Sequence, residues 1–247
     1  MNESALFPAR LGLGSIPRAL ATGWRTAQRS RRASTLYGVV VALIGFAIMR
    51  ALVAAGMTPL VLLAAGAFML VAPMLLAGFF AIARSVEKGQ VGRFEDLISG
   101  FRRAPPALLV LSMVCALLFL IFATDVAILY SYKVGGTVVM PRDMLNPTKN
   151  ITHVLLWGGL SGLLFGFIIF TITAFSVPLL CEGRAGLVRA VTASVRGVFG
   201  NFVVVLAWAV LITLATLASV LILPLLPFTL PPLAYASHAL YRQAFPV

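Results

Sequence analysis

The chain has 247 residues, 61% of them hydrophobic and 11% charged. Soluble domains carry about 25% charged residues, and the 21 glycines lift the apolar share here to about 70%; a disordered chain, a disulfide scaffold and an ordinary soluble enzyme are excluded. The net charge of +12 would suggest nucleic acid in a soluble protein, but in a chain this apolar it fits loops beside an anionic leaflet, so no nucleic-acid partner is expected.

The first 35 residues form a basic segment with an interfacial helix. No cleaved signal peptide is expected: Glu3 stands at the front, no apolar run begins before about Leu36, and no small-x-small site ends that run. Ser30-Arg31-Arg32 superficially resembles a twin-arginine signal, but Ser34 and Thr35 follow where large apolar residues belong.

The membrane domain runs over 36–243. A helix needs about 20 apolar residues to cross the hydrocarbon core. Six stretches meet this, at about 36–56, 59–83, 106–131, 153–180, 201–222 and 225–241, and predict an all-α polytopic protein. Pro224, Pro227, Pro231 and Pro232 crowd the sixth stretch, which is expected to be short, kinked or partly re-entrant. With both termini inside, fifteen basic residues fall on the inner side and four (Arg50, Lys133, Arg142 and Lys149) on the outer, so both termini are expected in the cytoplasm.

The inner loops resemble one another. Leu20-Ala21-Thr22-Gly23-Trp24-Arg25, Leu97-Ile98-Ser99-Gly100-Phe101-Arg102 and Val191-Thr192-Ala193-Ser194-Val195-Arg196 each read apolar, two residues, small, apolar, Arg. Gly89 and Gly92 match Gly183 and Gly186 in one register. The pattern predicts three parallel repeats, each an interfacial helix plus a transmembrane hairpin. Phe94, Leu97, Ile98 and Phe101 form one helical face, as do Leu187, Val188, Val191, Val195 and Val198. Such helices are expected to lie flat at the membrane surface, with Arg102, Arg103, Arg189 and Arg196 turned to lipid phosphates or a partner.

Pro73, Gly78, Arg84, Glu87 and Gly89 stand where the bacterial integral membrane proteins of domain-of-unknown-function family 2189 show a Gly-Pro, Gly-Leu-Tyr, Ser-Arg, Glu-x-Gly signature. Tyr37-Gly38, Asn201 and Leu240-Tyr241-Arg242 also resemble that family. Ala72, Phe80 and Ala83 depart from it, and His238 falls where the family has tryptophan. The resemblance implies a six-span inner-membrane protein; some members carry oxidase-subunit labels.

Little in the sequence offers chemistry. His153 and His238 are predicted at opposite membrane faces as interfacial polar residues, which leaves no haem, zinc or copper site, and no cofactor or metal is expected. Cys115 and Cys181 read as free core thiols. The seven acids are too scattered to predict a paired-carboxylate site. Asn150-Ile151-Thr152 is a chance sequon. Gly158, Gly162 and Gly166 form a helix-packing stripe in the fourth span, facing either a helix of the same chain or a partner. Arg50 lies about 22 Å up the first span and Asp125 about 28 Å up the third, so an intramembrane ion pair is the first expectation, with separate snorkelling or a proton or ion pathway as the alternatives.

These features predict a non-enzymatic integral inner-membrane protein, an accessory or assembly subunit of a larger membrane complex, respiratory in the family's suggestion. Membrane lipids and other membrane subunits are the expected partners, with no small-molecule substrate identified. The alternative is a transporter or channel for a small solute or lipid.

Overall fold

The computed structural model describes residues 7–54, 60–134, 149–221 and 225–246. Arg142 and Pro224 lie outside the described residues. Ten helices occur among the described residues: α1 (Ser15–Arg29), α2 (Arg31–Ala54), α3 (Leu60–Glu87), α4 (Phe94–Arg102), α5 (Pro106–Val134), α6 (Lys149–Thr173), α7 (Ser176–Cys181), α8 (Leu187–Gly200), α9 (Phe202–Leu221) and α10 (Leu226–Ala244). The long helices follow the predicted apolar runs closely. Among the described residues, two helical stretches are long and apolar enough to cross a membrane, Pro106–Lys133 and Thr152–Cys181. A third is added if Leu187–Gly200 and Phe202–Thr216, bent by 100°, count as one.

Local chemistry sets the ends. Pro106 opens α5, where a missing N–H is harmless. At α4 the Asp96 side chain accepts the Arg93 backbone N–H at 2.8 Å. The helices α3 and α7 end in the same way. Gly89 (φ +79) and Gly183 (φ +66) turn left-handed. The amides of Gly89 and Gln90 bond back to Val86 and Ser85, and those of Gly183 and Arg184 to Leu180 and Leu179. Both are Schellman turns, which need a residue at positive φ.

The sharp corner between α8 and α9 sits at Asn201. Its side chain accepts the Leu11 amide at 2.6 Å and donates to the carbonyls of Ala9 and Gly197. The N-terminal segment is thereby tied to a corner almost 200 positions away in the chain.

The amphipathic helices pack mainly through small residues: Ser15, Ala19, Gly23 and Thr26 are buried in α1, Gly100 beside Leu97 in α4, and Ala190, Ala193, Ser194 and Gly197 beside Val198 in α8. Trp24, Phe94, Ile98, Val188 and Phe199 remain exposed. The helix α4 packs on α3, α8 on α6 and α7, and α1 along α10. A Cβ on Gly100 would lie 2.8 Å from the Ala77 carbonyl oxygen, and one on Gly23 would lie 2.5 Å from that of Pro232. Ser194 reaches the neighbouring backbone by hydrogen bonds, donating to Thr171 O and accepting from Phe175 N.

The proline-rich sixth stretch is a continuous helix, with Pro231 and Pro232 inside it. It is surrounded closely. The glycines Gly23 of α1 and Gly38 of α2 approach the carbonyls of Pro232 and Pro227, and Ser34 and Tyr235 share a 2.6 Å hydroxyl hydrogen bond. Tyr37, Phe79 and Tyr235 pack ring to ring against this seam.

Candidate functional site

Three helix termini bring charge together around α10. Glu87 is the last residue of α3, and Glu182 caps the C-terminus of α7. A carboxylate at a helix C-terminus opposes the helix dipole, so each needs a cation. The helix α10 supplies them from His238 and Arg242 and adds the neutral Tyr241 hydroxyl, the three sharing one face at i, i+3 and i+4.

His238 is 1% exposed. Its Nδ1 lies 3.3 Å from Glu87 Oε1 and its Nε2 3.2 Å from Glu182 Oε1. With a carboxylate on each ring nitrogen, both nitrogens are placed to donate, the geometry of an imidazolium. Arg242 bridges the same two acids, its Nη2 lying 3.0 Å from Glu87 Oε2 and 3.1 Å from Glu182 Oε1. Tyr241 donates its hydroxyl proton to Glu182 Oε2 at 2.7 Å. Arg184 donates in turn to the Tyr241 hydroxyl and to the carbonyls of Phe245 and Pro246, fastening the C-terminus of α10. Arg84 joins α3 to α7 through a 2.6 Å hydrogen bond to the Cys181 carbonyl. Phe80 and Tyr241 flank the imidazole.

The two acids differ in surroundings. The Glu182 side chain is 7% exposed and that of Glu87 is 41% exposed. Burial alone would raise the Glu182 carboxyl, but hydrogen bonds from His238 and Tyr241 and the charge of Arg242 outweigh it and hold it below the ordinary glutamate value. Glu87 is likewise lowered, with burial opposed by His238 and Arg242. The arrangement is a charge-matched brace joining α3, α7 and α10. It corrects two expectations, because His238 is a buried ionic hub rather than an interfacial polar residue, and two of the scattered acids do converge. The usable signal was a Glu placed one or two residues before a glycine that ends a helix.

The predicted Arg50–Asp125 pair does not form. Asp125 is exposed and its Oδ2 accepts the Ser161 hydroxyl of α6 at 3.0 Å, whereas Arg50 is exposed on α2. The reason is packing: α5 lies chiefly against α3 and α6. Equal depth along two helices does not make them neighbours.

The glycine stripe divides. Gly158 faces Val126 and Gly162 faces the Phe122 ring, both on α5, while Gly166 and the adjacent Gly159 meet open space. Arg102, Arg103, Arg189 and Arg196 are all exposed, with Arg196 over the Phe7 ring at 5.9 Å. His153 is exposed near the start of α6, Cys115 is buried, and both cysteines are free.

A cavity of about 290 Å³ lies beside the brace, with walls from α3, α5, α6, α7, α9 and α10.

The chain's relationships bear on this brace. A family described as "Predicted integral membrane protein (DUF2189)" matches residues 60–182, about half of the chain. Over that stretch the chain belongs to the DUF2189 family. The DUF2189 match contains Pro73, Gly78, Arg84, Glu87 and Gly89 and ends on Glu182, so both carboxylates lie inside it and α10 lies beyond it. No curated protein and no solved structure matches the chain.

Proposed function

We propose that the protein is a non-enzymatic accessory or assembly subunit of a larger complex in the bacterial inner membrane. In this reading α2, α3, α5, α6 with α7, α9 and α10 are six spans in three parallel repeats, and both termini are cytoplasmic. The packing order supports the repeats: α1, α4 and α8 each rest on the second long helix of a hairpin through the small-residue position of the shared motif. The observation that carries the accessory role is the outer face of α6. Gly159 and Gly166 meet open space there, beside exposed Leu156, Leu160 and Leu163. Small residues facing outward let a foreign helix approach closely, which is what drives association in lipid.

The test is purification in mild detergent after in-membrane crosslinking. The wild type should carry stoichiometric membrane partners, and Gly166→Leu should release them while leaving this chain folded. Wild-type protein that purifies alone and moves a solute in reconstituted vesicles would overturn the proposal. A transporter is the second reading, favoured by the cavity, whose lining suits an apolar cargo better than a polar one.

A further inference from the structure

The cavity has a recognisable place in the packing. The helix α3 packs on α5 and α10 packs on α2, each the second helix of one hairpin against the first helix of the next. In the proposed repeat order α6 should pack on α9 in the same way. Instead α9 packs on α10, α8 and α1. Between α6 and α9 a ring contact joins Phe167 to Phe202. Both helices contribute to the cavity wall, and Phe80, Cys115, Phe170, Val205, Trp208 and Leu240 are among its lining residues.

The lining identifies the occupant. Four hydroxyl side chains line it: Thr173 donates to Ile169 O at 2.6 Å, Thr213 to Ala209 O at 2.8 Å and Ser237 to Leu233 O at 2.9 Å, each within its own helix, and Thr216 lies on the exposed side of α9. The charges beside it, Glu87, Glu182, His238 and Arg242, are paired with one another. A polar solute would leave its own groups unpaired there, and an apolar cavity does not hold water well. The outer sides of α6 and α9, at Leu163, Leu164, Leu206 and Val210, are exposed apolar surface of helices that belong in hydrocarbon. We infer that this cavity is a binding site for one acyl chain of a membrane phospholipid, seated between α6 and α9. The volume fits the lower end of ordinary ligand pockets, about 300 Å³. The exposed Arg189 and Arg196 lie on α8, which packs on both α6 and α9, and so are available for the phosphate of the same lipid.

Trp208, 3% exposed, is a reporter built into the wall. Trp24→Phe with Trp157→Phe leaves it as the sole tryptophan. The full chain is reconstituted in dioleoyl-phosphatidylcholine vesicles, with and without phosphatidylcholine brominated along its acyl chains. Trp208 fluorescence should fall at least twofold with the brominated lipid. Filling the cavity by Ala209→Phe, or by the milder Ile212→Phe if the first fails to fold, should remove most of that quenching at unchanged helicity. Equal quenching in the filled and unfilled proteins would place the bromine outside the cavity and overturn the site. Quenching by acrylamide in place of bromolipid would show a wet cavity and overturn it as well. Partner release by Gly166→Leu is read separately, so failure of the acyl-chain site and failure of the accessory role are distinguishable.

Discussion

The surroundings of α10 and the α5–α6 hairpin are built on opposite principles. The hairpin is long, apolar and exposed. Its glycines Gly158 and Gly162 meet side chains at 3.6 and 3.3 Å, and its acid Asp125 has a serine for company. Around α10 the helices touch backbone to backbone, prolines sit inside the helix, and acids and cations are matched in one cluster. The difference teaches that hydropathy finds the part of this chain suited to lipid, while the specific interactions gather where the apolar signal is weakest. In lipid, exposure of apolar surface is no loss, whereas an unmatched buried charge is costly.

The largest expected effect comes from breaking the brace. Glu182→Gln leaves His238 and Arg242 short of a buried partner and should destabilise the fold by about 3–5 kcal/mol, read by thermal or SDS-induced unfolding in mixed micelles. Acid should act on the same contacts. Both carboxyls sit below the ordinary glutamate value of 4.5, so their contribution is intact above it and is lost as pH falls through their lowered values. A pH titration of the melting temperature should therefore bend downward below about pH 4.5, and that bend should shrink in Glu182→Gln.

Next in size is the α1–α10 seam. A methyl group on Gly23 would sit 2.5 Å from the Pro232 oxygen and 2.6 Å from the Ala236 nitrogen, both backbone atoms that cannot swing aside. Gly23→Ala should cost about 1–3 kcal/mol. On the hairpin the same change at Gly166 meets open space and should be neutral or stabilising by up to about 1 kcal/mol, since alanine favours helix over glycine. Equal losses at the two glycines would erase the contrast between the regions. Glu87→Gln should cost less than Glu182→Gln, at most about 1 kcal/mol, because that side chain is 41% exposed and screened by solvent. The smallest effect is expected at Asp125→Asn, within about 0.5 kcal/mol of wild type in the same unfolding assay.

Much of the helical layout was legible, because long apolar runs closed by Pro and Gly leave few choices. The runs near 106–131 and 153–180 appear as α5 and α6 with α7, and the matching glycines Gly89 and Gly183 do form matching turns. The brace was not legible, because Glu87, Glu182 and His238 lie on three separate helices and meet only through tertiary packing. The Arg50–Asp125 expectation failed for the same reason: depth along a helix is a property of one segment, and adjacency is a property of the bundle. Four-residue spacing makes Gly158, Gly162 and Gly166 the obvious small-residue stripe, yet the tighter stripe is Ser15, Ala19 and Gly23. Serine and alanine in a polar helix conceal that spacing, and what matters is the proline-rich backbone opposite.

The most direct test of the brace is a pair of double-mutant cycles on unfolding free energy in the same micelles. One cycle combines Glu182→Gln with His238→Gln, the other Asp125→Asn with Arg50→Gln. The structure predicts coupling of more than about 1 kcal/mol in the first and additivity within about 0.5 kcal/mol in the second. Additivity at Glu182 and His238, with coupling at Asp125 and Arg50, would contradict it.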